Sequence, residues 1–188
     1  MSALHAPEFG TERVNIGLLD AADSSALFRY RSSSEVQRFQ PWSPSSEGDV
    51  ADFIARQDPA ALTMDGGRLQ LAVRERTSGE LVGDLGLHMV GPEGVQVEVG
   101  FTIDPAHQRK GLASDAVSAL LTWLFGELGK HRVLASTDPS NSASIALLTN
   151  LGFRQEAHHH QSYRFRGAWV DDLVFAMLRR EWLERGTP

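Results

Sequence analysis

The feature that most constrains the fold is a strand that leads directly into a helix near the middle of the chain. Between residues 95 and 103, apolar and polar residues alternate without a break, as in a strand with one buried face. After Asp104-Pro105 and a polar loop, apolar residues recur every three or four positions from Leu112 to Leu128. That spacing predicts a long amphipathic helix whose N-terminus adjoins the loop.

Periodicity along the rest of the chain predicts an α/β (α+β) fold. The predicted order is one strand, two helices, three strands, a helix, a strand, a helix and two strands. This order is typical of a mixed sheet with helices packed on it. The length of 188 residues suits one domain. We expect residues 1–10 to be a loose N-terminal leader and residues 183–188 to be a C-terminal tail.

Charge and composition exclude several classes of protein. The formal net charge is −6 and no block of Lys and Arg occurs, which argues against a nucleic-acid partner. No run approaches the roughly 20 apolar residues that span a bilayer, and no basic segment precedes an apolar run at the N-terminus. We therefore expect a cytoplasmic protein without a membrane partner. The absence of cysteine excludes disulfides and thiolate metal sites.

The loop before the long helix has the properties of an anion site. Unpaired backbone N–H groups and the helix dipole attract negative charge at a helix N-terminus. Gly111 has no Cβ, so a phosphate can approach the backbone closely, and Arg109 and Lys110 add positive charge. A glycine in a basic loop is nevertheless more often an ordinary turn, so this motif alone decides little.

Further motifs downstream strengthen the interpretation. Asn141 precedes Gly152-Phe153 by the spacing seen in the GNAT acetyltransferases, and residues 108–113 resemble their pyrophosphate loop. Residues 97–101 are similar to a Glu-Ile-Gly-Tyr strand of the RimJ/RimL-like branch, and residues 167–171 resemble its closing strand. The order and spacing of these motifs together are specific.

This resemblance covers most of the chain, from about Val14 to Trp182, and implies a fold. The expected GNAT-like sheet is mixed and mostly antiparallel, with six to seven strands and about four flanking helices. It contains a splayed parallel strand pair, here around residues 95–103 and 132–137. Acetyl-CoA, with no metal, is the implied cosubstrate. The residues that the resemblance assigns to its binding are Thr102, Ile103, Gln108, Arg109, Lys110, Gly111, Leu112, Ala113, Asn141 and Ser144.

The implied activity is transfer of the acetyl group to a primary amine by direct attack in a ternary complex. Glu98 is the candidate base, although a carboxylate with a pKa of about 4.3 is a poor base unless desolvated. It could equally be the polar face of a strand. A backbone N–H at or near Ile103 could polarise the thioester carbonyl.

The group that protonates the departing thiolate is the least determined. Many family members carry a tyrosine where this chain has Leu148, whereas the RimL-like branch suggests Ser144. Ser144 is as readily explained as a helix-start serine that bonds local backbone. The thiolate could also leave unassisted, since thiols are acidic.

Several alternatives remain open. His158, His159 and His160 resemble a metal-binding tract, but consecutive strand residues alternate faces, so we expect a solvated segment and no metal. His88 is an alternative base, and Phe39, Trp42 and Trp169 either line the acceptor pocket or pack elsewhere.

The alternative function is a non-catalytic acyl-CoA-binding or sensor domain, which the leucine at position 148 favours. The acceptor could be a protein N-terminal amine or a small molecule. The chain could be a monomer or a homodimer.

Overall fold

The computed structural model describes residues 7–91 and 94–185, which form one sheet with helices on both faces. The strands are β1 (Phe9–Gly10), β2 (Val14–Leu18), β3 (Arg68–Glu75), β4 (Leu81–Val90), β5 (Gln96–Ile103), β6 (Arg132–Thr137), β7 (Arg154–Phe165) and β8 (Ala168–Leu178). The α-helices are α1 (Ser24–Arg31), α2 (Ser34–Gln37), α3 (Glu47–Ala55), α4 (Leu112–Thr122), α5 (Ser142–Asn150) and α6 (Arg179–Glu184). No helix in these ranges is long and apolar enough to cross a membrane.

The sheet has the order β1-β2-β3-β4-β5-β6-β8-β7. Every neighbouring pair is antiparallel except β5 and β6, which are parallel. The mixed, mostly antiparallel sheet with one parallel pair is therefore confirmed. The parallel pair is joined by α4, as the crossover between parallel strands requires.

Apolar side chains on the two faces of the sheet form two cores. On β3, Leu69, Leu71 and Val73 point to the main core, which α4 covers. Ala72, between them, faces the opposite side and packs in a second cluster with residues of α1 and α3. Because adjacent strand residues alternate faces, one strand supplies both cores, and the helices must lie on opposite sides.

Parts of the expected leader and tail belong to regular secondary structure. Residues 1–6 lie outside the described ranges, but Phe9–Gly10 form an eighth strand paired with β2. The Phe9 ring stacks on Trp123 with 4.7 Å between centroids, which anchors the expected leader. The expected tail from residue 183 is likewise shorter, since α6 continues to Glu184. Residues 186–188 lie outside the described ranges.

The first of the two strands predicted at the end of the chain is long, because β7 spans Arg154–Phe165. Nearly every residue of β7 is exposed, so no alternation of apolar and polar residues marks it in the sequence. Its backbone hydrogen bonds to β8 define it instead. The long helix predicted from Leu112 also differs in detail, because α4 ends at Thr122 and residues Trp123–Glu127 form a π-helix.

A buried ion pair ties the first helix to the centre of the sheet. Asp84 on β4 is fully buried and accepts hydrogen bonds from Arg31, Tyr30 and Gln70. Burial and the nearby Asp84 carboxylate raise the pKa of Tyr30, so its hydroxyl stays protonated and donates. Arg31 also donates to Gln40 Oε1 at 3.2 Å. This network fixes the loop after α2 against the sheet.

We predict that Arg31→Ala lowers the free energy of unfolding by about 3–5 kcal/mol, because it leaves the Asp84 carboxylate buried without its cation. Urea denaturation measures the change. Arg154→Ala is the matched control, since Arg154 pairs with Glu156 and Glu181 at the surface. The free energy of unfolding of that variant should fall by about 1 kcal/mol or less. Equal losses in the two variants would contradict a structural role for the buried pair.

Candidate active site

The site is built where the parallel strands β5 and β6 separate. They pair at only three positions, of which Glu98 opposite Leu134 is the last. Within the described ranges, the remaining residues of β5, up to Ile103, have no strand neighbour on that side. The splayed strand pair predicted at residues 95–103 and 132–137 is thereby confirmed.

The separation leaves backbone groups of β5 pointing into a gap. The Asp104 N–H donates to β4, so the backbone groups of Phe101 and Ile103, at alternate positions, face the other way. Side-chain amides reach their carbonyl oxygens: Gln108 Nε2 donates to Ile103 at 3.1 Å and Gln40 Nε2 to Phe101 at 3.5 Å. These two contacts mimic what an amide-bearing ligand arm would do in the gap.

The loop between β5 and α4 has an unusual backbone. Arg109 has φ 60° and Gly111 has φ 80°, so both lie in the left-handed region, and Gly111 is the N-cap of α4. Such turns aim successive N–H groups into one concavity, which binds anions together with the helix dipole. The non-glycine residue in this conformation costs of order 1–3 kcal/mol, as is common at binding sites.

Arg13, which the sequence analysis missed, supports this loop from behind. Its guanidinium donates to the Lys110 carbonyl oxygen and pairs with Asp115 in the first turn of α4 at 3.0 Å. A Cβ on Gly111 would lie 3.1 Å from Arg13 Nη1. No local pattern indicates this contact, because Arg13 lies just before β2, almost a hundred residues earlier.

A groove of about 490 Å³ runs along the loop and the gap. All residues predicted to hold acetyl-CoA line it except Lys110, which is exposed. Those that line it are Thr102, Ile103, Gln108, Arg109, Gly111, Leu112, Ala113, Asn141 and Ser144. The Thr102 hydroxyl is buried without a hydrogen-bond partner among the described residues. The groove therefore joins a turn of the kind that binds anions to the edge of β5 that β6 leaves unpaired.

The start of α5 forms the opposite wall of the groove. Asn141 caps this helix, with its Oδ1 accepting from the Ser144 N–H at 3.2 Å. Leu148, at the position of the tyrosine in other family members, is fully buried in the main core. That position therefore supplies no group to the site, whereas the half-buried Ser144 faces the groove.

A second cavity, of about 810 Å³, lies over the sheet on the other side of the point where β5 and β6 separate. Gly86 on β4 and Gly100 on β5 are directly paired and both line it. Nothing lies within 4 Å of the position that a Cβ on Gly100 would occupy. The missing side chain of Gly100 leaves open space over the sheet, whereas a Cβ on Gly86 would lie 3.0 Å from Gln70 Oε1. We call this cavity the acceptor cleft. Phe39 and Trp42 line this cleft, whereas Trp169 is exposed and lines neither cavity.

Glu98 and His88 lie side by side in the wall of the acceptor cleft. His88 Nδ1 is 3.2 Å from Glu98 Oε2, and Ser136 Oγ donates to Glu98 Oε1 at 3.4 Å. The Glu98 side chain is 42% exposed, so it is accessible to a substrate or a water. The two alternative bases from the sequence are thus one hydrogen-bonded pair.

The terminal hairpin adds two cleft residues that the sequence analysis missed, Asp172 and Tyr163. Burial raises the pKa of Asp172 above its usual range, and the charges of Glu98 and Asp138 raise it further. Burial also raises the pKa of Tyr163, as do the charges of Asp172 and Asp138. The motif at residues 167–171 could have directed attention to this hairpin. It does not indicate which of two adjacent aspartates faces the cleft.

Comparisons with known proteins agree with this geometry. Residues 13–154 match the family described as Acetyltransferase (GNAT) domain. The uncharacterized N-acetyltransferase p20 of Bacillus licheniformis is 30% identical over 92% of this chain and 96% of its own length. The [ribosomal protein uS5]-alanine N-acetyltransferase of Escherichia coli is 30% identical over 45% of this chain and 43% of its own.

A solved structure extends the agreement to the whole fold. The acetyltransferase (GNAT family) from Bacillus anthracis superimposes with a TM-score of 0.84 and 26% identity, covering 93% of this chain and 100% of that one. The resemblance in the sequence motifs, including the RimJ/RimL-like branch, is confirmed. The chain therefore belongs to the GNAT family of acetyltransferases and is an acetyl-CoA-dependent enzyme that transfers acetyl groups to amines.

Proposed function

We propose that acetyl-CoA lies in the groove and is attacked directly by a primary amine bound in the acceptor cleft, in one ternary complex. The observation that carries this proposal is that the two cavities meet at the break between β5 and β6. Their shared lining residues are Phe39, Gln40, Phe101, Asn141 and Ser144. A thioester in the groove and an amine in the cleft would therefore approach each other without an acyl-enzyme step. We propose the cytoplasm as the compartment.

The amine must lose a proton before it attacks. A free alkylamine has a pKa near 10.4 and a peptide N-terminus near 7.7–8.0, so an N-terminal amine is the easier acceptor at neutral pH. Glu98 takes this proton, directly or through a water, while the adjacent His88 orients the carboxylate. The neutral amine attacks the thioester carbonyl carbon and forms the C–N bond, and the C–S bond then breaks. The nitrogen loses a second proton as the amide forms and the departing thiolate takes one up. The one proton released overall is the one first taken by Glu98, which passes it to water.

Residues that line the groove would polarise the thioester carbonyl and assist the departure of the thiolate. The Ile103 N–H, which faces the gap, would donate to the thioester oxygen as negative charge develops there. Ser144 on α5 lines the groove and is the candidate to protonate the thiolate. Tyr163, whose raised pKa keeps it protonated, is the only tyrosine of the chain's two that lines the cleft. We therefore propose it as the alternative proton donor.

The charge of the cleft indicates the chemistry of the acceptor. Glu98, Asp138 and Asp172 line one wall, and together they favour a cationic ammonium. The E. coli relative is named for an alanine of ribosomal protein uS5, and we propose a protein N-terminal amine as acceptor here. A screen of acetyl-CoA consumption with peptides and small amines, followed by mass spectrometry, tests this. Acetylation of polyamines alone would overturn the protein acceptor.

We predict that Gly111→Asp abolishes acetyl-CoA binding, because it adds a negative charge where the diphosphate would contact the backbone. Calorimetry with acetyl-CoA measures the affinity. Gly79→Asp is a matched control, since Gly79 also has a positive φ of 72° and lies in the β3–β4 turn, away from the groove. The control should bind acetyl-CoA like the wild type. Retained binding by Gly111→Asp would show that the diphosphate lies elsewhere.

We predict that Glu98→Gln lowers kcat by about 10²–10⁴-fold, the usual effect of losing a positioned base. Acetyl-CoA affinity should stay unchanged, and raising the pH should partly restore the rate, because more acceptor is then neutral. Steady-state kinetics across pH provide the measurement.

Asp172→Asn removes the same charge from the same cleft and serves as the comparison. It should reduce acceptor affinity without a comparable loss of kcat. If Asp172→Asn carries the large, pH-rescued loss and Glu98→Gln does not, Asp172 is the base.

We predict that Gly100→Val fills the floor of the acceptor cleft and lowers kcat/KM for the amine by about 10²-fold, since small displacements of a bound substrate have effects of this size. Gly100→Ala, which adds one methyl group, should have a smaller effect. Binding of acetyl-CoA should be the same in both variants. Wild-type kinetics in the valine variant would place the acceptor outside this cleft.

A further inference from the structure

Three side chains with metal-ligating atoms meet on the terminal hairpin. His158 Nε2 lies 2.7 Å and His160 Nδ1 lies 2.9 Å from Asp171 Oδ2. All three ligand atoms lie within 4.8 Å of one another. His158 and His160 share a strand face because they are two residues apart on β7, and β8 supplies the third ligand, Asp171.

The hairpin backbone holds this group in place. The register between β7 and β8 is irregular between His159 and Tyr163, and Gln161 adopts a left-handed φ of 47°. The Gln161 N–H donates to Asp171 Oδ1 at 2.9 Å. One carboxylate oxygen is therefore fixed by the backbone, and the other is directed at both imidazoles.

The group lies on the opposite face of the hairpin from the acceptor cleft. His159 and Asp172, the neighbours in sequence, line the cleft, whereas His158, His160 and Asp171 do not. The imidazoles are 38% and 76% exposed, so a hydrated ion can reach them and water can complete its coordination.

We propose that His158, His160 and Asp171 bind a divalent transition-metal ion, represented by Zn²⁺, on the outer face of the terminal hairpin. Zinc bonds of about 2.0–2.2 Å to nitrogen and oxygen require ligand atoms about 3.3 Å apart. The distances of 2.7 and 2.9 Å from Asp171 Oδ2 to the two imidazole nitrogens need to increase by only a few tenths of an ångström. Imidazole with carboxylate favours zinc, nickel or copper over the oxygen-seeking calcium and magnesium.

The consequence of binding is a cross-link between the two strands of the hairpin. A metal at this position joins β7 to β8 where their register is irregular. The opposite face of the same segment places His159 and Asp172 in the acceptor cleft. The bound ion would therefore stiffen one wall of the cleft without touching a reactant.

Calorimetric titration of the full chain with Zn²⁺ tests the proposal. The wild type should bind one ion through this group, and His160→Ala and Asp171→Asn should each weaken binding by at least about tenfold, a loss that even partners of metal ligands produce. His159→Ala is the matched control, because it removes the adjacent histidine from the other face. It should bind Zn²⁺ like the wild type.

A thermal shift with Zn²⁺ gives a second readout, since a ligand of the folded state raises its stability. The shift should be present in the wild type and in His159→Ala and reduced in the other two variants. Absence of Zn²⁺ binding by the wild type, or equal binding by all four proteins, would overturn the proposal.

Discussion

The divergence of β5 from β6 is the constraint on which the rest of the site depends. Three residue pairs hold the strands together, and beyond Glu98 they separate around the start of α4. An open strand edge inside a sheet is costly because its backbone groups lack partners. Here Gln40 and Gln108 partly satisfy Phe101 and Ile103. The same opening connects the groove with the acceptor cleft. The free-energy cost of the unpaired backbone groups therefore arises where the proposed reaction needs access from both sides.

A series of polar contacts connects helix α1 to this opening. Asp84 holds Arg31, Arg31 donates to Gln40, and Gln40 reaches the Phe101 carbonyl oxygen. The first contact is fully buried and therefore rigid, whereas the last lies at the junction of the two cavities. Trp42 holds the same loop further, because its ring stacks on Phe53 with 4.4 Å between the centroids. The buried network thus links the stability of the fold to the position of the loop.

Much of the groove could be predicted from the sequence because its parts are local. The strand from Val97 to Ile103, the turn at Gly111 and the cap at Asn141 each depend on residues close in the chain. Arg13 and Asp172 could not be predicted in the same way. Arg13 contacts the loop from the edge of β2. Whether Asp172 lines the cleft depends on which face of the β7–β8 hairpin meets it. Contacts between residues distant in sequence have no local pattern.

By itself, the sequence determined the strand–loop–helix unit, because alternation, a glycine at the helix start and helical spacing are properties of neighbouring residues. It also determined the family, through the order of its motifs. Only the tertiary structure decided that Glu98 and His88 form one pair, that Leu148 belongs to the core and that His158, His160 and Asp171 meet. Each of these depends on strand register. A shift of one residue would turn every side chain of a strand to the other face of the sheet.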